Sequence, residues 1–118
     1  MLLIKNANVF APEFLGHKDI LVGGERILAI EDNIESSTIF QEWDAQGKTL
    51  LPGIIDQHIH VFGAGGKSCF ASMTREIPMT DLVACGTTTV VGLLGTDGST
   101  RGVKTLYAKY KALEMEGM

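Results

Sequence analysis

The sequence predicts an α/β chain in two parts. A small N-terminal antiparallel β-sheet, a half-sandwich over residues 1–51, precedes the first two β/α units of a TIM-type (β/α)8 barrel over residues 52–118. Three observations predict this. Short β-prone runs broken by turn residues fill the first part, up to a break at Pro52-Gly53. Beyond the break the order becomes strand, helix, strand, helix, which gives parallel strands with helices outside them. A closed barrel takes about 250 residues, so a chain of 118 is expected to supply only its front, as a truncated piece of a larger protein with both parts incomplete.

In the first part, "LLIKNANVFA" and "KDILVGGERILAIE" carry the β-prone runs, and Gly23-Gly24 sits between two of them as a hairpin turn. "STIFQEWDAQGKTLLPG" adds a strand near Thr38–Trp43, a turn at Asp44–Lys48 and the Pro-Gly break. Trp43 is expected to pack between the small sheet and the barrel. In the second part, Ile54–His60 reads as a strand buried on both faces, followed by the glycine-rich loop "GAGGKS". A short helix is expected at Pro78–Cys85, with Pro78 in its first turn and Gly86 as its stop. "TTTVVGLLG" reads as a second buried strand. From Thr100 to Glu116 the residues Val103, Leu106, Tyr107, Tyr110 and Leu113 recur at helical spacing, a stripe expected to pack on the sheet, and Gly117 ends the run. Asp97 and Ser99 are expected to cap that last helix.

Composition excludes several classes. The chain is acidic, with a net charge of -4, and no Lys/Arg cluster with interleaved aromatics argues for a nucleic-acid partner. "MLLIKNANVF" lacks the basic start, long apolar stretch and cleavage site of a signal peptide. No run approaches the roughly 18 apolar residues of a membrane span, so no membrane partner is expected. Cys69 and Cys85 fit neither C-x-x-C spacing nor a disulfide scaffold, and they read as structural thiols in a reduced, cytoplasmic setting.

The chemistry concentrates in "PGIIDQHIHVFG". A strand repeats every two residues, so Asp56, His58 and His60 are expected on one face. Burying such groups unpaired costs several kcal/mol, and a metal ion is the simplest compensation. Two same-face imidazoles can converge on one ion, and the carboxyl end of a strand is where parallel α/β barrels place their sites. The competing reading is a pair of satisfied core histidines. Asp56, one pleat deeper, is expected to orient a neighbour or the chain in preference to ligating. His17, in the polar stretch "LGHKD", is expected on the surface.

"LLPGIIDQHIH", after a run of short strands, resembles the amidohydrolase superfamily of metal-dependent hydrolases, and "DQHIHVFGAGG" with "TTTVVGLLGTD" resembles its isoaspartyl dipeptidase family. The resemblance implies a metallopeptidase that hydrolyses β-aspartyl dipeptides with metal-activated water. His58 and His60 would hold the more buried metal of a binuclear zinc (Zn2+) centre. Gly65, Gly66 and Lys67 would form a loop that contacts the dipeptide, and Thr96 a further substrate-binding position. The remaining ligands and the general acid/base of the family match nothing in these residues, so no catalytic residue is assigned within the chain, which is expected to be inactive alone. One departure stands out: the family carries a glutamate, which pairs with the substrate's α-amino group, where this chain has Lys67. The reversed charge would favour a carboxylate, or an N-acylated substrate without the ammonium. A dihydroorotase-like or D-aminoacylase-like hydrolase, or an inactive fragment, therefore stands as the alternative. The resemblance also implies a small dipeptide or amide substrate and a homo-oligomer.

Overall fold

The structure, a computed structural model, describes residues 1–95 and 97–118. These fall into two units, Met1–Pro52 and Gly53–Met118.

The first unit is one five-stranded sheet: β1 (Leu2–Phe10), β2 (Phe14–Gly23), β3 (Arg26–Glu31), β4 (Gln41–Asp44) and β5 (Thr49–Leu50). The hairpin between β2 and β3 turns at Gly24-Glu25, as the Gly-Gly pair predicts. The sheet is mixed, which corrects the antiparallel expectation: β1 runs antiparallel to β2 but parallel to both β4 and β5. The cause is local. β1 bulges at Asn6, whose φ is +58°, and β4 and β5 share the edge of β1 on either side of that bulge. The turn between them is fastened to β1 by hydrogen bonds from Ala45 N–H to the Lys5 carbonyl (2.8 Å) and from Gly47 N–H to the Asn6 carbonyl (2.8 Å). Ala7, Val9, Ile20 and Ala45 form the buried core, with Ile4, Val22, Ile30 and Leu50 packed around it. A buried carboxylate locks the same bulge. Asp19 accepts from the backbone N–H groups of Asn6 (2.9 Å) and Ile34 (3.0 Å) and pairs with Lys5 Nζ at 2.7 Å.

The second unit contains β6 (Ile54–Ile59), a single 3₁₀ turn (Phe70–Ser72), α1 (Met79–Ala84), β7 (Thr87–Gly92) and α2 (Val103–Glu116). β6 and β7 pair in parallel, as the strand–helix–strand order predicts. Both helices stop at left-handed glycines, Gly86 at φ +77° and Gly117 at φ +104°, a conformation that costs glycine no Cβ clash. Val61, Phe62, Leu82 and Leu113 make the core. The two strands are not buried on both faces as expected: Ile54, Ile55 and Val91 are 56%, 60% and 49% exposed. A two-stranded sheet with one helix layer has too few neighbours to cover them. The α2 stripe is likewise only partly engaged, with Leu113 buried and Leu106 half-buried while Val103, Tyr107 and Tyr110 stay exposed. The long loop after β6 is held by two-way bonds between Ala64 and Thr74, by Ile77 N–H to the Val61 carbonyl (3.0 Å), and by Arg101 Nη1 to the Phe62 carbonyl (2.5 Å). No helix among the described residues is long and apolar enough to cross a membrane.

Candidate metal centre

β6 ends at Ile59, so His58 lies in its last turn of pleat and His60 immediately beyond. The two rings meet edge to face, with centroids 5.5 Å apart and planes at 85°. Two imidazoles on one tetrahedral zinc, at about 2.0–2.1 Å per Zn–N bond, hold their centroids roughly 5–6 Å apart. The observed centroid spacing falls within that range. Both rings line an open cleft of about 610 Å³ with Gly92, Leu93, Leu94 and Gly95.

His60 is the more constrained ring. Its Nδ1 lies 3.3 Å from the Leu93 carbonyl oxygen, just past β7. The tautomer that donates this bond leaves Nε2 with a free lone pair, the usual way a backbone carbonyl orients a ligating imidazole. Gly95 closes over the same ring at φ +75°. A Cβ there would stand 2.7 Å from the Ala64 Cβ and 3.1 Å from His60 Nδ1, so a side chain would displace the ring or the turn. Sequence reasoning missed Gly95; the only signal was a glycine directly after a β-prone run.

Asp56 is engaged with the backbone. Its Oδ1 accepts from the His58 backbone N–H at 3.0 Å, and it does not line the cleft. The pairing with β7 is irregular between Ile54 and Ile55 and again between Asp56 and Ile59. No group of three or more His, Cys, Asp or Glu side chains converges among the described residues. The described residues thus offer two donors at this cleft, and a tetrahedral zinc takes four ligands, or three and a water.

The other expected site residues are less convergent. Gly65 lines a separate pocket of about 210 Å³ with Cys69, Phe70, Met73, Asp97 and Ser99. Gly66 and Lys67 lie in an exposed turn. The Gly66 N–H donates to the Ser72 carbonyl at 3.2 Å, so it is committed to the loop and not presented to a ligand. Among the described residues Lys67 joins no ion pair. Thr96 lies outside the described residues. Asp97 is buried, but it caps the turn before α2, not the helix. It accepts from the N–H groups of Ser99 (3.1 Å) and Thr100 (2.9 Å) and from the Thr100 hydroxyl, while α2 has Gly102 as its N-cap and no side-chain cap. The Thr100 hydroxyl and N–H hold the Asp97 carboxyl below its ordinary pKa. His17 is exposed, within 3.4 Å of Asn8 Oδ1 across the strand pair.

No family model matches the chain. Among solved structures, the β-aspartyl dipeptidase of Fervidobacterium islandicum AW-1, in complex with β-Asp-Leu, is 44% identical with a TM-score of 0.87, covering 99% of this chain and 31% of its own. The chain is similar in sequence and fold to this amidohydrolase. A curated dihydroorotase of Elusimicrobium minutum, also in that superfamily, is 43% identical over 77 residues, which are 62% of this chain and 18% of the dihydroorotase. The D-hydantoinase of a Thermus species has a TM-score of 0.69 at 27% identity, covering 95% of this chain and 24% of its own. The chain thus spans less than a third of each of these amidohydrolase relatives.

Proposed function

We propose that this chain is the metal-binding front of a zinc-dependent amidohydrolase that cleaves β-aspartyl dipeptides. The observation that supports it most is the His58–His60 pair, whose ring spacing fits one shared ion at a strand end. The likeness to a β-aspartyl dipeptidase with β-Asp-Leu bound supports the substrate class. When bound, the metal would supply Lewis-acid activation of water and of the amide carbonyl. The chain's own part is to present two imidazoles, to fix the His60 tautomer through the Leu93 carbonyl, and to keep the ring seated with Gly95. Further ligands and the group that moves the proton must come from outside these residues, so the 118 residues alone are expected to be inactive.

A second reading rests on Lys67 and on the dihydroorotase match: a hydrolase of cyclic amides or N-acylated amino acids. In the zinc-loaded product of the complete gene, hydrolysis of β-Asp-Leu, lost by at least about a hundredfold in His58→Ala and in His60→Ala, supports the first reading. Turnover of dihydroorotate or an N-acyl amino acid with none of β-Asp-Leu supports the second. Lys67→Glu sharpens the choice. If Lys67 meets the substrate, the charge reversal is expected to raise kcat/KM for a dipeptide with a free amino group by at least about tenfold, which needs only about 1.4 kcal/mol. An unchanged ratio between free and acylated substrates would make Lys67 a solvent-facing residue.

A further inference from the structure

We infer that Asp56 is the positioning residue of the histidine pair, acting by holding a β-bulge that aims His58 and His60 into one cleft. The inference rests on the metal reading for its purpose but on strand geometry for its substance. Along β6 the partners on β7 run Ile54 to Thr87 and Ile55 to Thr89, one step against two, and then Asp56 to Val90 and Ile59 to Gly92, three steps against two, so the second irregularity restores the register that the first one shifted. One extra residue therefore sits at Gln57-His58, and such bulges re-aim side chains beside functional sites. A bulge leaves a backbone group without its ladder partner. Within this irregular step the His58 N–H donates to Asp56 Oδ1 at 3.0 Å. A carboxylate accepting from the N–H two residues on offers the backbone an alternative to regular pairing.

The consequence follows from the period of two. In regular register from Asp56, His58 would stand opposite Gly92, the place Ile59 now holds. A one-residue slip turns every following side chain to the opposite face. Ile59, half-buried against Val61, Phe62 and their neighbours, would leave the core, and the rings of His58 and His60 would leave the cleft. The bulge thus lets the strand end keep isoleucine in the core and both imidazoles on the open side. On the far side the strand is already pinned, since Leu93 N–H donates to the Ile59 carbonyl at 2.8 Å.

The test compares Asp56→Ala, which removes the acceptor, with Asp56→Asn, which keeps an oxygen in its place. Three readouts are taken on the whole protein: hydrogen exchange of the His58 amide, the nuclear Overhauser contact between the two imidazole rings without metal, and zinc affinity. Asp56→Ala is expected to speed His58 exchange and weaken zinc binding by at least about tenfold each, with loss of the ring–ring contact. Asp56→Asn is expected to keep all three near the parent. Persistence of the ring contact and of His58 protection in Asp56→Ala overturns the inference, whatever zinc does. If Asp56→Ala does not fold, a folded Asp56→Asn that loses His58 protection overturns it equally. A parent that binds zinc no tighter than His58→Ala sinks the metal reading instead, and the exchange and ring contact still decide whether Asp56 sets the geometry.

Discussion

Polar side chains at an irregular strand are put to different use in the two units. In Met1–Pro52 the buried carboxylate of Asp19 is met on all sides by Lys5 and by the N–H groups of Asn6 and Ile34, and its partners are spent on the fold. In Gly53–Met118 the corresponding polar groups sit at a strand end, with two imidazoles facing an open cleft and apolar strand faces left uncovered. Both units use a bulge with a carboxylate accepting a backbone N–H, at Asn6 in one and at Gln57-His58 in the other. The difference is what the bulge serves. The first closes a network; the second points reactive side chains outward. A satisfied polar cluster stabilises, whereas one left with free lone pairs is available for chemistry.

The comparison breaks most visibly at Asp19. Asp19→Ala would leave the Lys5 ammonium and two N–H groups without their acceptor, and about 3 kcal/mol of stability should be lost. Urea unfolding followed on amides of residues 1–52 should show the loss, while amides of β6 and β7 keep their parental midpoint if the units are energetically separate. Gly95→Ala is the matching test in the second unit. The left-handed backbone and the contacts on Ala64 and His60 should cost about 1–3 kcal/mol and weaken zinc binding. An alanine variant with parental stability and zinc affinity would remove Gly95 from the account.

Association comes next. Exposed apolar faces and unpaired strand edges favour contacts between copies, so light scattering should show concentration-dependent self-association, reduced in Ile55→Lys and also in Ile27→Lys, since both isoleucines are exposed. Acid gives the smallest effect. Burial alone would raise the Asp19 pKa, but Lys5 and the N–H groups of Ile34 and Asn6 outweigh it and hold it below the ordinary 3.8. A carboxylate with a depressed folded pKa stabilises above its unfolded value and loses that contribution as pH falls through the folded one. The first unit should therefore weaken only from about pH 4 downward, and an Asp19→Asn variant should show a flatter profile over that range.

Much of this was legible in the residues. Most strand positions, though not β5 or the span of β4 (expected near Thr38–Trp43, found at Gln41–Asp44), the Gly-Gly hairpin, the parallel β6–β7 pair and the glycine stops of both helices follow from local patterns. So does the proximity of His58 and His60, since two residues apart on a strand is one face unless something intervenes. What intervened lay two residues earlier. A bulge depends on how β6 meets β7, and nothing in "IIDQHIH" announces where the pairing turns irregular. The mixed pairing of the first sheet was hidden for the same reason: β4 and β5 are short, and their direction against β1 is set by the path of the connecting chain. Gly95 was hidden because a glycine's meaning lies in what it touches, here a ring 35 residues earlier in the chain.

The central claim is that His58 and His60 act together as ligands of one ion. A zinc titration followed on the imidazole signals tests it most directly. The account predicts that the His58 and His60 rings shift along one shared isotherm, weakly, as two donors dictate, while the His17 ring stays unmoved. Response of only one of the pair, or an equal response from His17, would contradict it.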